Sequence, residues 1–216
     1  MDLPVLDTAD ARKRMVDSQI RPNKVTNDAL LEGMRTLKRE LFVPAALADF
    51  AYIDEDVPLG AGRVLTEPMI LARLLQAANV KQGEKVLVVA SGSGYSAALL
   101  SVIGAHVTAL EEDAALSAQA ARLLPPEIKQ VSGPLAAGVP DAAPFDVILI
   151  DGGVRNIPPA LIAQLAPSGR LVTVIVPAEG AGTAVRFDEA SGIVKLFDCQ
   201  TPALPSLLLK PGFSFV

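Results

Sequence analysis

The residues able to do chemistry concentrate around the glycine-rich segment Ser91-Gly92-Ser93-Gly94-Tyr95, which follows the apolar run at 85–90 and opens a helical stretch. Glycines at a strand-to-helix turn let the backbone approach a ligand, and the first turn of the helix offers free N–H groups to polar ligand atoms. Nineteen residues after Gly92, Glu111 closes the next apolar run, where a carboxylate can accept hydrogen bonds from both hydroxyls of a ribose. A strand, a glycine turn, a helix and an acid at this spacing point to a nucleoside-cofactor site. The plainer alternative is that Gly92 and Gly94 only permit tight strand–helix packing and that Glu111 is a solvated strand end. Gly92-Ser93-Gly94-Tyr95-Ser96-Ala97 also satisfies the dinucleotide pattern, so a nicotinamide oxidoreductase stays a rival, although about 85 residues precede a motif that usually opens such a fold.

Other reactive side chains are scarce. The chain has 216 residues, one His (His106) and one Cys (Cys199). That excludes a disulfide framework and an all-Cys/His zinc site, and leaves no spare histidine to activate a serine or cysteine nucleophile. His106 reads as the first residue of a buried strand and Cys199 as a small packing residue. Asp151 follows the apolar run 145–150, and strand C-termini in an open α/β sheet face the ligand crevice. Arg63 and Glu67 flank Thr66 and are either substrate contacts or exposed. Tyr95 sits to pack on a cofactor or to cover the helix–sheet seam.

Nineteen Lys+Arg stand against 24 Asp+Glu, a net charge of −5, and half the residues are hydrophobic while 4% are aromatic. The chain is too apolar for disorder, and its acidity and few aromatics argue against nucleic-acid binding. Asp2, Asp7 and Asp10 precede Arg12-Lys13-Arg14, unlike a secretory leader. The runs at 97–105 and 171–176 fall short of the ~20 residues a membrane span needs. A cytoplasmic protein with no membrane partner is expected.

Positioning these residues requires a particular order of elements. Residues 9–40 read as mostly helical, with Thr26 or Asn27 capping a helix at 28–37. A turn at 59–62 precedes a helix from 66 to 78, with Thr66 as cap and Pro68 in the first turn. Strands are expected at 85–90, 106–110, 129–131, 145–150 and 170–176. Helices between them at 95–103, 114–124 and 158–165 imply right-handed βαβ units. Residues 184–187 and 193–197, parted by Asp188-Glu189-Ala190-Ser191-Gly192, read as a hairpin, and 202–216 as an extended segment packed on the core. The fold class is therefore α/β: a Rossmann-like, doubly wound, mostly parallel sheet with an antiparallel C-terminal hairpin and an N-terminal helical segment. Residues 1–80 form a lead-in on the substrate side and 81–216 the cofactor domain, together one compact unit.

Several blocks, in order, resemble the protein-L-isoaspartate O-methyltransferase family of S-adenosylmethionine-dependent enzymes. They are Met15-Val16-Asp17-Ser18-Gln19-Ile20-Arg21, Glu40-Leu41-Phe42-Val43-Pro44, Ala51-Tyr52, Pro58-Leu59-Gly60-Ala61-Gly62, Ser91-Gly92-Ser93-Gly94-Tyr95, Pro144-Phe145-Asp146-Val147-Ile148 and Ile157-Pro158-Pro159-Ala160-Leu161 running into Gln164-Leu165-Ala166-Pro167-Ser168-Gly169-Arg170-Leu171-Val172. The resemblance spans roughly residues 12–176. It implies that Ser91, Gly92, Ser93, Gly94, Tyr95, Glu111, Glu112, Leu135 and Asp151 hold S-adenosylmethionine, with S-adenosylhomocysteine as product. It further implies that Gly60, Gly62, Arg63, Val64 and Leu65 line the substrate side, and that Thr66 takes the place of a serine beside the reacting carboxylate.

The implied activity is methyl transfer to isoaspartyl carboxylates of proteins or peptides, by a monomer or homodimer, with no metal. Such chemistry suits a chain poor in His and Cys, because a carboxylate with pKa ~4 is already ionised at pH 7 and needs positioning and dryness rather than a base. The chain departs from the family pattern where an acid is Val88, where the first glycine of the turn is Ala90, and where an acid after Val131-Ser132-Gly133 is Pro134. A lost charged hydrogen bond costs ~1.5–3 kcal/mol, so a catalytically silent, methyltransferase-like binding protein is the alternative.

Overall fold

The computed structural model describes residues 7–208. The chain opens with α1 (Thr8–Arg14), whose first N–H groups are capped by the Asp7 carboxylate. It continues through a π-helical turn at Met15–Ile20 and a 3-10 turn at Arg21–Asn23. In α2 (Asp28–Thr36), Asn27 caps Leu30 N–H at 3.0 Å, and the helix buries Leu30, Leu31 and Met34. After two further 3-10 turns comes the antiparallel hairpin of β1 (Val57–Gly60) and β2 (Arg63–Leu65). Its tip holds three successive left-handed residues, Gly60, Ala61 and Gly62, with φ of 99°, 51° and 73°.

Helix α3 (Pro68–Ala78) follows, with Pro68 in its first turn, but its cap position is Glu67 and no side chain caps it. The expected capping by Thr66 is thus corrected: its hydroxyl is committed elsewhere. The alternating core runs β3 (Lys85–Val89), α4 (Tyr95–Val102), β4 (His106–Glu111), α5 (Ala114–Leu123), β5 (Lys129–Ser132), β6 (Phe145–Val154), α6 (Pro159–Ile162) and β7 (Leu165–Ile175), and the hairpin of β8 (Gly182–Asp188) and β9 (Gly192–Cys199) completes it. The helix expected at 158–165 is reduced to one turn because β7 begins early: Leu165 pairs with Phe145, then a register shift carries Arg170 opposite Val147. His106 is exposed at the start of β4, correcting its expected burial.

The sheet has the order β5-β4-β3-β6-β7-β8-β9. The first five are parallel; β8 runs antiparallel to β7, and β9 antiparallel to β8 at the edge. The strand set directly against the parallel group is 182–188, the first of the expected hairpin. Residues alternate across the pleat, so Val86 and Val88 enter one apolar layer and Leu87 and Val89 the other. That two-sided burial is why β3 reads as an unbroken apolar run. The layer under Val88 also contains Met15, Ile20, Leu30 and Met34, so the N-terminal helices share one core with the sheet. On the other face, Leu204 and Leu207 pack with Phe145, Leu161 and Leu171. The tail, expected to be extended, packs on the core through Leu204 and Leu207 but folds into a 3-10 turn at Pro205–Leu207; its remainder, including Pro211 and Gly212, lies outside the described residues. No helix among the described residues is long and apolar enough to cross a membrane.

Candidate functional site

From β3 the chain moves outward through β4 and β5, then returns to β6 on β3's other side. This reversal opens a crevice at the C-terminal ends of β3 and β6, the usual ligand position in such sheets. The turn after β3 takes left-handed backbone at Ala90, Gly92 and Gly94, with φ of 62°, 57° and 99°. Alanine at the first of these costs of order 1 kcal/mol relative to glycine. All of Ser91–Tyr95 is buried.

Glu111 is brought directly under the turn. Its Oε2 accepts from Gly92 N–H at 2.7 Å, and its Oε1 accepts from the N–H groups of Glu112 and Asp113 at 3.0 Å each. Arg63 completes the set: Nη1 donates to Glu111 Oε1 at 2.8 Å and Nη2 to Ala90 O at 2.7 Å. The two side chains are 5% and 3% exposed, so Arg63, expected on the substrate side, instead forms a buried ion pair with the expected ribose acid.

Thr66 Oγ1 donates to Asp151 Oδ1 at 2.8 Å. The carboxyl of Asp151 is raised above the ordinary aspartate range, first by its withdrawal from water, while the Thr66 hydroxyl and the Arg63 and Arg39 cations pull it down. Behind Thr66 lies Arg39, which the sequence did not single out. Its Nη2 donates to Thr66 O at 2.7 Å and its Nε to Ala51 O at 2.6 Å, and it is wholly buried. Its guanidinium lies 4.9 Å from the Tyr95 ring centroid, and Phe42 meets that ring edge-on at 5.4 Å. Ser93 Oγ donates to Phe42 O. Tyr95 and Ser93 thus tie the glycine turn to the lead-in. An isolated arginine in a 3-10 turn carries no periodic signal, so only the fold reveals Arg39.

Of the other residues weighed, Glu112 and Glu67 each line an opening. Glu112 lines an open groove of about 290 Å³ with Ala61, Arg63, Asp113, Pro205 and Ser206. Leu135 is buried beside Leu110 and Ala90, while Pro134 is exposed. Leu65 is buried, Val64 half-buried, and Gly60 and Gly62 exposed at the hairpin tip. Val88 lies wholly inside the layer shared with the N-terminal helices. A second cavity of about 410 Å³ is bounded by Glu55, Asp56, Glu67, Gly182 and Thr201. There burial and the neighbouring Asp54, Asp56 and Glu55 push the Glu67 carboxyl up to about 7. The run Asp54-Glu55-Asp56 was visible in the sequence but not read as part of a site. Cys199 is half-buried and its thiol is pushed up to about 11, chiefly by burial, which keeps it protonated and unreactive. Among the described residues no group of His, Cys, Asp and Glu could hold a metal ion. Around Thr66 the arrangement offers hydroxyls, a carboxyl, backbone donors and an apolar enclosure, a set suited to orienting a nucleophile that is already ionised.

Residues 10–201 match the family model described as protein-L-isoaspartate(D-aspartate) O-methyltransferase. A protein-L-isoaspartate O-methyltransferase of Methylorubrum extorquens is 43% identical over 180 residues, covering 82% of this chain and 79% of that one. Its counterpart from Koribacter versatilis is 38% identical over 195 residues, covering 88% of each. Among solved structures, a protein-L-isoaspartate O-methyltransferase superposes with a TM-score of 0.77 at 20% identity, covering 91% of this chain and 67% of that one. A Plasmodium falciparum protein described as such an enzyme, in complex with S-adenosyl-L-homocysteine, gives 0.76 at 20% identity over 90% of this chain and 98% of that one. At that identity the two structures speak for the fold.

Proposed function

This chain belongs to the protein-L-isoaspartate O-methyltransferase family, and on that footing we propose that it methylates the carboxylate of isoaspartyl residues in protein or peptide substrates, with S-adenosylmethionine as methyl donor. The observation that carries the proposal is the placement of Glu111 under the Gly92–Gly94 turn with Thr66 across the same crevice. The residues fit the cofactor: a buried carboxylate at a strand end, left-handed turn backbone, and the Ser96 hydroxyl left without a partner on the first turn of α4. Glu111 would hold the ribose, the turn and the start of α4 the amino-acid portion, and Leu135 would wall the adenine. When bound, the cofactor supplies a methyl group on a sulfonium: the substrate carboxylate oxygen forms the new O–C bond as the C–S bond breaks, leaving a methyl ester and a neutral thioether.

The chain's own part is to orient and to exclude water. Thr66 Oγ1 can give its proton to one acceptor at a time, either Asp151 or the substrate carboxylate. A protonated Asp151 donates to Thr66 Oγ1 and frees that proton for the substrate; an ionised Asp151 takes it and sets a second negative charge beside the nucleophile. This reading places the protein in a reducing compartment, the cytoplasm, acting as a monomer or homodimer.

Incubation with methyl-labelled cofactor and paired isoaspartyl and aspartyl peptides tests the proposal. Base-labile methyl ester is expected on the isoaspartyl peptide alone, with kcat/KM falling about ten- to a hundredfold in Thr66→Ala, as loss of a charge-assisted hydrogen bond predicts. Cofactor binding without any ester would overturn it. The capture of Glu111 by Arg63 favours a second reading, a family member that binds isoaspartyl peptide without turnover. Peptide binding by calorimetry with no ester formed would support that one.

A further inference from the structure

We propose that Arg63 sets cofactor affinity by competing for Glu111, so that the β1–β2 hairpin latches the ribose subsite and must release it before the cofactor binds. The proposal rests on the reading of Glu111 as the ribose carboxylate. An ionised carboxylate offers about four lone-pair positions. In this structure Glu111 is met by Gly92 N–H, Glu112 N–H, Asp113 N–H and Arg63 Nη1. The three backbone donors belong to the glycine turn and to the entry of α5, and cannot leave without undoing them. Arg63 alone reaches Glu111 through a side chain, from the separate β1–β2 hairpin. Its donor is the third on Oε1, beside the N–H groups of Glu112 and Asp113, and fills acceptor capacity that a ribose hydroxyl would need.

The hairpin is seated over the subsite as well as bonded to it. Leu59 Cδ1 lies 3.3 Å from where a Cβ on Gly92 would stand, and Pro205 Cγ lies 3.3 Å from the same point on Gly62. The outer groove is lined by Ala61, Arg63, Glu112, Asp113, Pro205 and Ser206. A nucleoside entering there reaches Glu112 before Glu111. Gly60, Ala61 and Gly62 are exposed, so outward movement of the hairpin carries Arg63 toward water rather than into the core. Affinity is then the intrinsic value reduced by the fraction of molecules with the latch open. The penalty appears in association, because the closed form must open first.

Binding of S-adenosylhomocysteine to wild type, Arg63→Gln and Leu59→Ala, followed by calorimetry and by rapid-mixing kinetics, tests this. Arg63→Gln is expected to bind about tenfold or more tightly, a change of ~1.4 kcal/mol or more, with the gain in association rate and little change in dissociation. Leu59→Ala loosens the seat without touching Glu111, and is expected to move association the same way by a smaller factor. If Arg63→Gln does not fold, the Leu59→Ala association rate decides: a faster rate supports the latch and an unchanged or slower one overturns it. Weaker or equal binding by folded Arg63→Gln would overturn the latch while leaving the cofactor site standing. Failure of every folded variant to bind at millimolar concentration would remove both.

Discussion

At the scale of single residues, the pairing of Thr66 with Asp151 has the sharpest chemical consequence. Asp151 is held above the usual aspartate range by burial, so it keeps its proton to a higher pH than a free aspartate. The protonated form leaves the Thr66 proton available to an ionised substrate carboxylate; the ionised form does not. With rising pH, kcat/KM is therefore expected to rise as the substrate carboxylate ionises near pH ~4, then to fall as Asp151 loses its proton. Asp151→Asn cannot lose a proton and should abolish that alkaline fall. Rate profiles of the two proteins on one isoaspartyl peptide check this, and an unchanged alkaline limb in the asparagine variant would remove Asp151 from the account. The glycine turn and Glu111 were legible in the sequence because strand, turn, helix and strand-end acid follow one another locally. The Arg63 pairing is not legible in the sequence, because nothing local distinguishes a guanidinium facing substrate from one turned onto an acid 48 positions away.

At the scale of elements, Arg39 ties together the lead-in segments at Ala51 and Thr66 and sets them against α4. It donates to Ala51 O and Thr66 O and lies against Tyr95, the first residue of α4. Replacing it with methionine keeps much of the volume but leaves two buried carbonyls without donors. Each such orphan costs ~1–3 kcal/mol, so Arg39→Met is expected to lower unfolding free energy by roughly 2–6 kcal/mol in urea titrations. A change under ~1 kcal/mol would show that water or another donor replaces it. The carbonyl of Thr66 is one of the two, so the variant is also expected to weaken turnover more than its stability loss alone explains. Helix and strand order was readable from periodicity. The shortening of α6 was not, because the early start of β7 depends on its pairing with Phe145, a contact between strands rather than a property of either.

At the scale of the whole molecule, the N-terminal helices and the sheet share one apolar layer from Ala11 to Ala184. Among the described residues no separate core divides 7–80 from 81–208. A single calorimetric transition is therefore expected, with calorimetric and van't Hoff enthalpies equal. Two resolved transitions would mean that the lead-in unfolds on its own. The sequence by itself determined the succession of strands and helices, the glycine turn and the acid that serves it. Those features arise from patterns with periods of two and 3.6 residues and from backbone demands met within a few positions. It also determined that the chemistry is one of placement, since His106 and Cys199 are the only residues of their kind. Only the tertiary structure decided which side chains meet in the crevice: Arg63 with Glu111, Thr66 with Asp151 across 85 positions, and Arg39 on the Thr66 carbonyl. Such partners are selected by the packing of separate elements and by the need of each buried charge for a counter-charge or donor, and neither leaves a local trace in the chain.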